Sequence, residues 1–238
     1  MDPAAHSQDA AAIPLWDGAY DPSQLRGHGN LWGDPPVPYA QTAARLFARN
    51  EATVVLDLPC GDGRNLPPLA TGTSILLGGD TSANAMAIAE QVATKAGIRD
   101  RAVFVKVDAF DTGFLDASVD GIFCWDLLGH LTDPGDALRE MHRILRPGGH
   151  LVANMWTMND CQVTDPNIRK TGPKEFIDHF EFYCKFYDHD DLEALLSSVD
   201  MRAETVEVAS WWEPPHAEYR TYEHQHESLI FTIKKPQT

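Results

Sequence analysis

The sequence predicts an α/β fold with a seven-stranded, mostly parallel sheet and helices on both faces. Strand and helix signals alternate along residues 53–155, which is the pattern of parallel strands joined by right-handed crossovers. Two further strand signals, at 203–209 and 227–234, follow with no helix signal between them. We therefore expect these two strands to form a hairpin, so that one of them runs antiparallel to the rest of the sheet.

Short apolar runs predict the five earlier strands, and the first run is also rich in β-branched residues. These strands are residues 53–58, 74–77, 103–107, 119–124 and 150–155. The helices between them are marked by capping residues at their starts, such as Asp133 and Asp188, and by Gly97 or Pro147 at their ends. The predicted helices are residues 38–49, 63–70, 83–96, 134–146 and 189–199.

The remaining segments complete the predicted domain organisation. We expect residues 1–12 to be a flexible tail and residues 13–49 to be an N-terminal cap segment. The main domain then spans residues 50–238, with an insertion at about residues 157–187 that is rich in Asp, Asn, Pro and aromatic residues. Long irregular insertions of this kind are usually functional or mobile.

Charge and cysteine content argue against several classes of protein. The chain has 19 Lys and Arg against 35 Asp and Glu, a formal charge of −16, and no basic stripe of the kind that nucleic acid or anionic lipid would attract. No apolar run approaches the roughly 20 residues of a membrane span, and residues 1–12 lack the basic and apolar regions of a signal peptide. The four cysteines form no C-x-x-C pair. We expect a cytoplasmic protein that acts on a small molecule, with no nucleic-acid or membrane partner.

A glycine-bearing loop follows the first strand. Asp57 ends that strand, and Gly61 and Gly63 let the backbone approach a ligand closely. Asp80 ends the second strand, about 20 residues further on, where a carboxylate commonly holds a nucleotide ribose. Asp108 ends the third strand. Because the carboxyl ends of adjacent parallel strands share one edge of the sheet, we expect the three carboxylates to face one crevice.

This loop resembles motif I of the class I S-adenosylmethionine-dependent methyltransferases, acidic-x-Gly-x-Gly-x-Gly, except that Pro59 stands at the first glycine. Asp80 matches the ribose-binding acid of that family, and Asp108-Ala109 matches the position beside the adenine. Residues 120–126 resemble motif IV, and residues 145–149 resemble the turn before the fifth strand. The Rossmann dinucleotide fingerprint is not completed, because Leu66 occupies its last glycine position.

The resemblance covers about residues 50–155. It implies a Rossmann-like class I methyltransferase fold, S-adenosyl-L-methionine as the cofactor, S-adenosyl-L-homocysteine as the product, and methyl transfer to an O, N, S or C atom of a small molecule. The cofactor-binding residues that it implies are Asp57, Pro59, Gly61, Gly63, Asn65, Asp80, Thr81, Asp108, Ala109, Phe110 and Trp125.

The methyl acceptor is expected at the same edge of the sheet, beneath the N-terminal segment and the insertion. The predicted substrate-binding residues are Trp16, Tyr20, Trp32, Trp156, Trp211 and His224. Histidine is the most suitable base near neutral pH, and we select His130 and His216 as catalytic candidates. The alternative for His130 is a capping or cofactor-positioning role, and the alternative for His216 is a solvated loop position.

His224 and His226 are two residues apart, so their rings would project from the same face of a strand. Together with His216 or Glu218 they would provide a set of metal ligands. The resemblance implies catalysis without metal, and we therefore predict no metal site. Methyl transfer assisted by a histidine-bound metal is one alternative. A second alternative is a protein of the same fold that uses the cofactor structurally or in a reaction other than methylation.

Overall fold

The computed structural model describes residues 7–23, 31, 35–216 and 220–237. Its helices are α1 (Ser7–Ala19), α2 (Pro38–Arg49), α3 (Leu66–Leu69), α4 (Ala83–Lys95), α5 (Pro134–Ile144) and α6 (His189–Ser198). Its strands are β1 (Val54–Asp57), β2 (Ile75–Asp80), β3 (Ala102–Lys106), β4 (Val119–Cys124), β5 (Leu145–Trp156), β6 (Arg169–Lys170), β7 (Glu175–Ile177), β8 (Tyr183–Lys185), β9 (Thr205–Glu213) and β10 (His224–Lys234). Single 3-10 turns lie at Leu128–His130 and Cys161–Thr164.

The central sheet has seven strands in the order β3-β2-β1-β4-β5-β10-β9. Strands β1 to β5 pair in parallel, and β10 is antiparallel to both β5 and β9. The predicted fold class and the terminal hairpin are therefore confirmed. The chain order reverses between β1 and β4, and a crevice opens at the carboxyl ends of the strands at such a switch point.

The apolar residues of the strands divide into two buried clusters, one on each face of the sheet. Phe47 of α2 and Phe123 of β4 belong to one cluster, and Met141 of α5 and Phe231 of β10 belong to the other. Both faces are thus covered by helices, which leaves the strand ends as the place where a ligand meets the sheet. Among the described residues, no helix is both long and apolar enough to cross a bilayer.

The N-terminal segment differs from its prediction, because α1 begins at Ser7, inside the stretch expected to be a flexible tail. Pro14 within the helix and a weak apolar periodicity hide this helix from sequence reasoning. Two aspartates of α1 accept hydrogen bonds that hold the helix over the carboxyl ends of the strands. Asp9 accepts hydrogen bonds from the backbone N–H and the hydroxyl of Thr132, at 3.0 and 2.9 Å. Asp17 accepts one from the Ser82 hydroxyl, at 2.8 Å.

The predicted insertion is more ordered than its composition suggests. Strands β6, β7 and β8 form a separate three-stranded sheet. Phe176, Cys184 and Phe186 from this region pack with Trp156 at the end of β5 in one buried cluster. The insertion therefore builds a wall beside the crevice.

Candidate active site

A cavity opens at the carboxyl ends of β1, β2, β4 and β5 and lies beneath α1. Fourteen of the predicted site residues line it. These are Trp16, Tyr20, Pro59, Gly61, Asn65, Asp80, Thr81, Asp108, Ala109, Phe110, Trp125, His130, Trp156 and His216. The structure thus brings most of the candidate cofactor, substrate and catalytic residues to one place.

The loop after β1 is held tightly against the sheet. The Leu58–Pro59 peptide bond is cis, and the Cys60 N–H donates to the carbonyl of Gly79 at 2.8 Å. Gly61 has a φ of +50°, and a Cβ there would lie 2.9 Å from the Tyr20 hydroxyl oxygen. Glycine is therefore required where α1 and the loop meet at the cavity.

Asp80 anchors this loop from the neighbouring strand. One of its oxygens accepts the Gly61 N–H and the other accepts the Ser82 N–H, both at 2.9 Å. Burial raises the pKa of Asp80, while these backbone hydrogen bonds oppose the rise. Each carboxylate oxygen has a further lone pair. The side chain can therefore accept two more donors from a ligand, as the predicted ribose role requires.

Asp57 does not lie on the cavity surface, although the sequence predicts that it faces the crevice. Its side chain is completely buried below the loop, and neither carboxyl oxygen has a hydrogen-bond partner among the described residues. Burial, followed by the nearby charge of Asp80, raises the pKa of Asp57 well above its usual value. In the described structure the loop lies between Asp57 and the cavity, and contact of this residue with the cofactor stays a prediction.

Gly63 is also absent from the cavity lining. Its φ is +85°, and a Cβ there would lie 2.8 Å from the Cα of Ala89 in α4. The position requires glycine because the loop packs directly on a helix, and contact of Gly63 with the cofactor stays a prediction.

Trp125 forms one wall of the cavity at the end of β4. Its ring stacks on Phe123 and on Tyr39, with centroid distances of 5.3 and 5.6 Å. The Nε1–H of Trp125 is buried and has no acceptor among the described residues. A buried donor of this kind is costly unless a ligand supplies the acceptor.

His130 lies between two tryptophans and also lines the cavity. Its ring makes edge contacts with Trp16 and Trp156, each at 4.8 Å between centroids. Nδ1 lies 2.8 Å from the backbone carbonyl of Tyr183 and therefore carries the proton, since a carbonyl can only accept. Burial lowers the pKa of His130 below its ordinary value. In the neutral ring Nε2 is then the basic nitrogen.

A polar wall is centred on Glu213, at the end of β9. One Glu213 oxygen lies 3.0 Å from Nη1 of Arg64 and 2.9 Å from Nε2 of His216, and the other accepts the Nε1–H of Trp211 at 3.0 Å. Burial opposes ionisation of Glu213, but Arg64 and His216 outweigh it and hold its pKa well below the usual range. His216 lines the cavity with its Nε2 already engaged.

A second histidine–carboxylate pair adjoins this wall. His226 lines the cavity, and its Nδ1 lies 2.9 Å from an oxygen of the buried Asp160. Burial disfavours protonation of His226, but Asp160 outweighs burial and raises the pKa of the ring well above its ordinary value. Asp126 is held in place by Asn154 and Trp156, whose side chains donate to it at 2.8 and 2.9 Å.

Two of the predicted substrate residues lie behind the cavity wall. Trp211 packs against Trp125 at 5.5 Å between ring centroids, and His224 is buried behind His216; neither lines the cavity. Glu213 and His226, each two residues further along the same strand, line the cavity instead, and direct contact of Trp211 and His224 with a substrate stays a prediction. Trp32 lies outside the described residues.

Several charged residues of the cavity were not predicted. They are Asp9, Asp62, Arg64 and Glu213. Asp62 and Arg64 lie within the glycine loop itself, so their position beside the glycines was an available signal. Asp9 and Glu213 reach the cavity from distant elements and carry no local motif.

The cavity is suited to a cationic ligand. Six lining residues are carboxylic acids, whereas two are arginines. The acids are Asp9, Asp62, Asp80, Asp108, Asp126 and Glu213. The unpartnered Nε1–H of Trp125 adds a hydrogen-bond donor. This donor set fits an adenosine that bears a positively charged sulfonium.

Comparison with known proteins agrees with this geometry. Residues 56–153 match the family model described as a methyltransferase domain. The chain is 30% identical over 133 residues to 27-O-demethylrifamycin SV methyltransferase of Amycolatopsis mediterranei, covering 52% of this chain and 49% of that protein. It is 33% identical over 135 residues to the methyltransferase GfsG of Streptomyces halstedii, with the same coverage of 52% and 49%. The chain therefore spans about half the length of these curated relatives.

A solved structure shares the fold over most of the chain. It is the 1,6-didemethyltoxoflavin-N1-methyltransferase of Burkholderia thailandensis, with bound 1,6-didemethyltoxoflavin and S-adenosylhomocysteine. The TM-score is 0.64 at 19% identity, covering 97% of this chain and 90% of that chain. Residues 56–153 are therefore similar to methyltransferase domains, and the chain shares its fold with the solved methyltransferase structure.

Proposed function

We propose that this protein transfers a methyl group from S-adenosylmethionine to a small-molecule acceptor and that the transfer requires no metal. The observation that carries the proposal is one cavity that joins the Asp80-anchored glycine loop to an aromatic wall holding a neutral histidine. When bound, the cofactor supplies an electrophilic methyl carbon on a sulfonium. The residues described below hold the reactants and receive a proton.

The cofactor side of the cavity is assigned to the loop and the ends of β2 and β3. Asp80 would accept the ribose hydroxyls, and Asp108 with Ala109 and Phe110 would surround the adenine. Asp108 is itself oriented by the Phe110 N–H, which donates to it at 3.0 Å. The sulfonium end would then face the acidic part of the cavity around Asp62.

The acceptor side is assigned to the aromatic wall. Trp16 and Trp156 hold His130 from both sides, and Trp16 also stacks on Phe182 at 3.8 Å. Flat indole faces favour a planar or partly apolar acceptor and exclude water from the methyl carbon. We assign the role of general base to His130 Nε2 and not to His216, since Nε2 of His216 is bonded to Glu213.

Detection of methyl transfer tests the proposal directly. The full chain is incubated with S-adenosylmethionine labelled in the methyl group and a panel of phenolic, enolic and amine-bearing metabolites, with and without a chelator. We expect labelled product, release of S-adenosylhomocysteine, and equal rates in the two series. Tight cofactor binding with no labelled product across the panel would favour the non-methylating alternative. A rate abolished by the chelator while circular dichroism shows that the chain stays folded would contradict metal independence.

Replacing Asp80 is expected to weaken cofactor binding. Asp80→Asn keeps the shape of the side chain but removes the charge and one acceptor, so that the Gly61 N–H and the ribose compete for the remaining oxygen. The loss of a charge-assisted hydrogen bond is worth about 1–3 kcal/mol, which corresponds to a rise of roughly 5- to 150-fold in Kd. Calorimetric titration with S-adenosylhomocysteine measures this change. Asp100→Asn, on an exposed turn, is the control, and equal affinities for both variants would contradict the assignment.

A further inference from the structure

Three potential metal ligands meet where β9 and β10 join. Glu213 ends β9, His216 lies in the connection, and His224 begins β10. The nearest carboxylate oxygen and ring nitrogens all lie within 4.8 Å of one another, and the three residues are at most 6% exposed. Two imidazoles and a carboxylate are a common ligand set for zinc and related divalent metals.

The ring of His224 gives independent evidence for a ligand, because one of its nitrogens lacks a hydrogen-bond partner among the described residues. Its Nδ1 lies 2.9 Å from the backbone carbonyl of Tyr222, so Nδ1 carries the proton and Nε2 presents a lone pair. That Nε2 is buried and has no hydrogen-bond partner among the described residues. An imidazole that donates one nitrogen to a backbone carbonyl and leaves the other free is the usual arrangement of a metal-ligating histidine.

Glu213 and His216 are already arranged as neighbouring ligands. The Glu213 oxygen and Nε2 of His216 are 2.9 Å apart, close to the roughly 3.3 Å between ligands around a tetrahedral zinc at 2.0–2.1 Å. Arg64 and Trp211 donate to the Glu213 carboxylate at 3.0 Å each and fix its orientation, as outer partners of a ligating carboxylate do. A metal would replace the proton on Nε2 of His216, and that proton would be released to solvent.

We propose that Glu213, His216 and His224 bind one divalent transition metal of the zinc type. The metal joins the end of β9 to the start of β10 and so stabilises the polar wall of the cavity. Glu213 and His216 line the cavity, so a fourth position, filled by water, faces it. The role is structural and does not depend on the proposed methyl transfer.

Two other groups of potential ligands are weaker candidates. In the group of Asp160, Cys161 and His226, Nδ1 of His226 is bonded to Asp160 and Nη1 of Arg220 lies 3.4 Å from the Cys161 sulfur. Its ligand atoms therefore already have partners. The group at the start of α6, which includes His189, is fully solvent-exposed.

Metal binding to the chelator-treated full chain tests the proposal without cofactor or acceptor. Titration with Zn²⁺ is expected to give one site per chain. Saturation at about 100 times Kd should raise the melting temperature by roughly 5–10 °C. Cobalt substitution should give the visible bands of a four- or five-coordinate site without a cobalt–thiolate charge-transfer band in the near ultraviolet.

Variants identify the ligands. His224→Gln removes the free nitrogen and is expected to weaken binding at least 100-fold, whereas His189→Gln and Cys161→Ser should bind as the unaltered protein does. Unchanged binding by His224→Gln, or a thiolate band that Cys161→Ser abolishes, would overturn the proposal, as would a failure of Zn²⁺ to bind stoichiometrically. Should His224→Gln not fold, X-ray absorption of the wild-type zinc complex decides the matter: imidazole and oxygen ligands support the site, and a sulfur ligand refutes it.

Discussion

His130→Asn is expected to lower kcat by about 100- to 10,000-fold while leaving the affinity for the cofactor within about twofold. A positioned general base contributes a factor of this size, equivalent to roughly 3–5 kcal/mol of barrier. Asparagine is the informative replacement because its amide N–H can still donate to the Tyr183 carbonyl, which His130 Nδ1 contacts at 2.8 Å. The basic Nε2 is lost, and the anchoring hydrogen bond is kept.

The pH dependence of kcat/KM should also reflect the titration of His130. Burial lowers the pKa of His130, and the nearby charges of Asp178 and Asp126 oppose that effect only in part. The ring is then neutral and competent as a base at pH 7, and activity should fall as the pH drops through a midpoint below 6.5. This acid limb should vanish in His130→Asn. Burial also raises the pKa of Asp126, so the loss of the limb in His130→Asn is the result that assigns it to His130.

The assay uses the acceptor that gives turnover in the labelled panel, and calorimetry with S-adenosylhomocysteine reports cofactor binding separately. His142→Asn is the matched control, since His142 lies on α5 outside the cavity lining. A loss of less than threefold in His130→Asn would exclude a base role. A loss of activity that parallels a loss of cofactor affinity would instead assign His130 to positioning.

The sequence predicted those parts of the site that follow from local pattern. Asp80, Asp108 and the glycine loop lie at strand ends, and strand ends are readable from apolar runs followed by polar residues. The parallel sheet then brings these ends together without further information. The hairpin of β9 and β10 was also predictable from local pattern, because no helix signal lies between these two strands.

The unpredicted parts depend on long-range placement. The Asp9 contact with Thr132 joins residues 123 positions apart, and the Arg64–Glu213 pair joins residues 149 positions apart. No short motif reports such contacts. At Asp57 and Gly63 the motif match predicts ligand contact, whereas the structure places one residue under the loop and the other against α4.

We expect Gly63→Ala to lower the free energy of unfolding, which a role in ligand contact alone would leave unchanged. Two terms add at this position. A φ of +85° is unfavourable for a residue with a Cβ, by about 1–2 kcal/mol. In addition, the new Cβ would lie 2.8 Å from Ala89 Cα and 2.9 Å from a Leu66 methyl, and overpacking of this kind costs roughly another 1–3 kcal/mol.

Gly97→Ala separates these two terms. Gly97 follows α4 with a φ of +70°, but a Cβ there would meet no atom within 4 Å, so only the conformational term applies. For a domain of this size each kcal/mol lowers the melting temperature by about 2–4 °C. We expect thermal unfolding to show a drop of roughly 10 °C for Gly63→Ala and at most about half of that for Gly97→Ala. Equal drops would mean that the loop can move off α4 at no cost, and the contact between loop and helix would then not be what fixes the position of the Asp80-bound glycine turn.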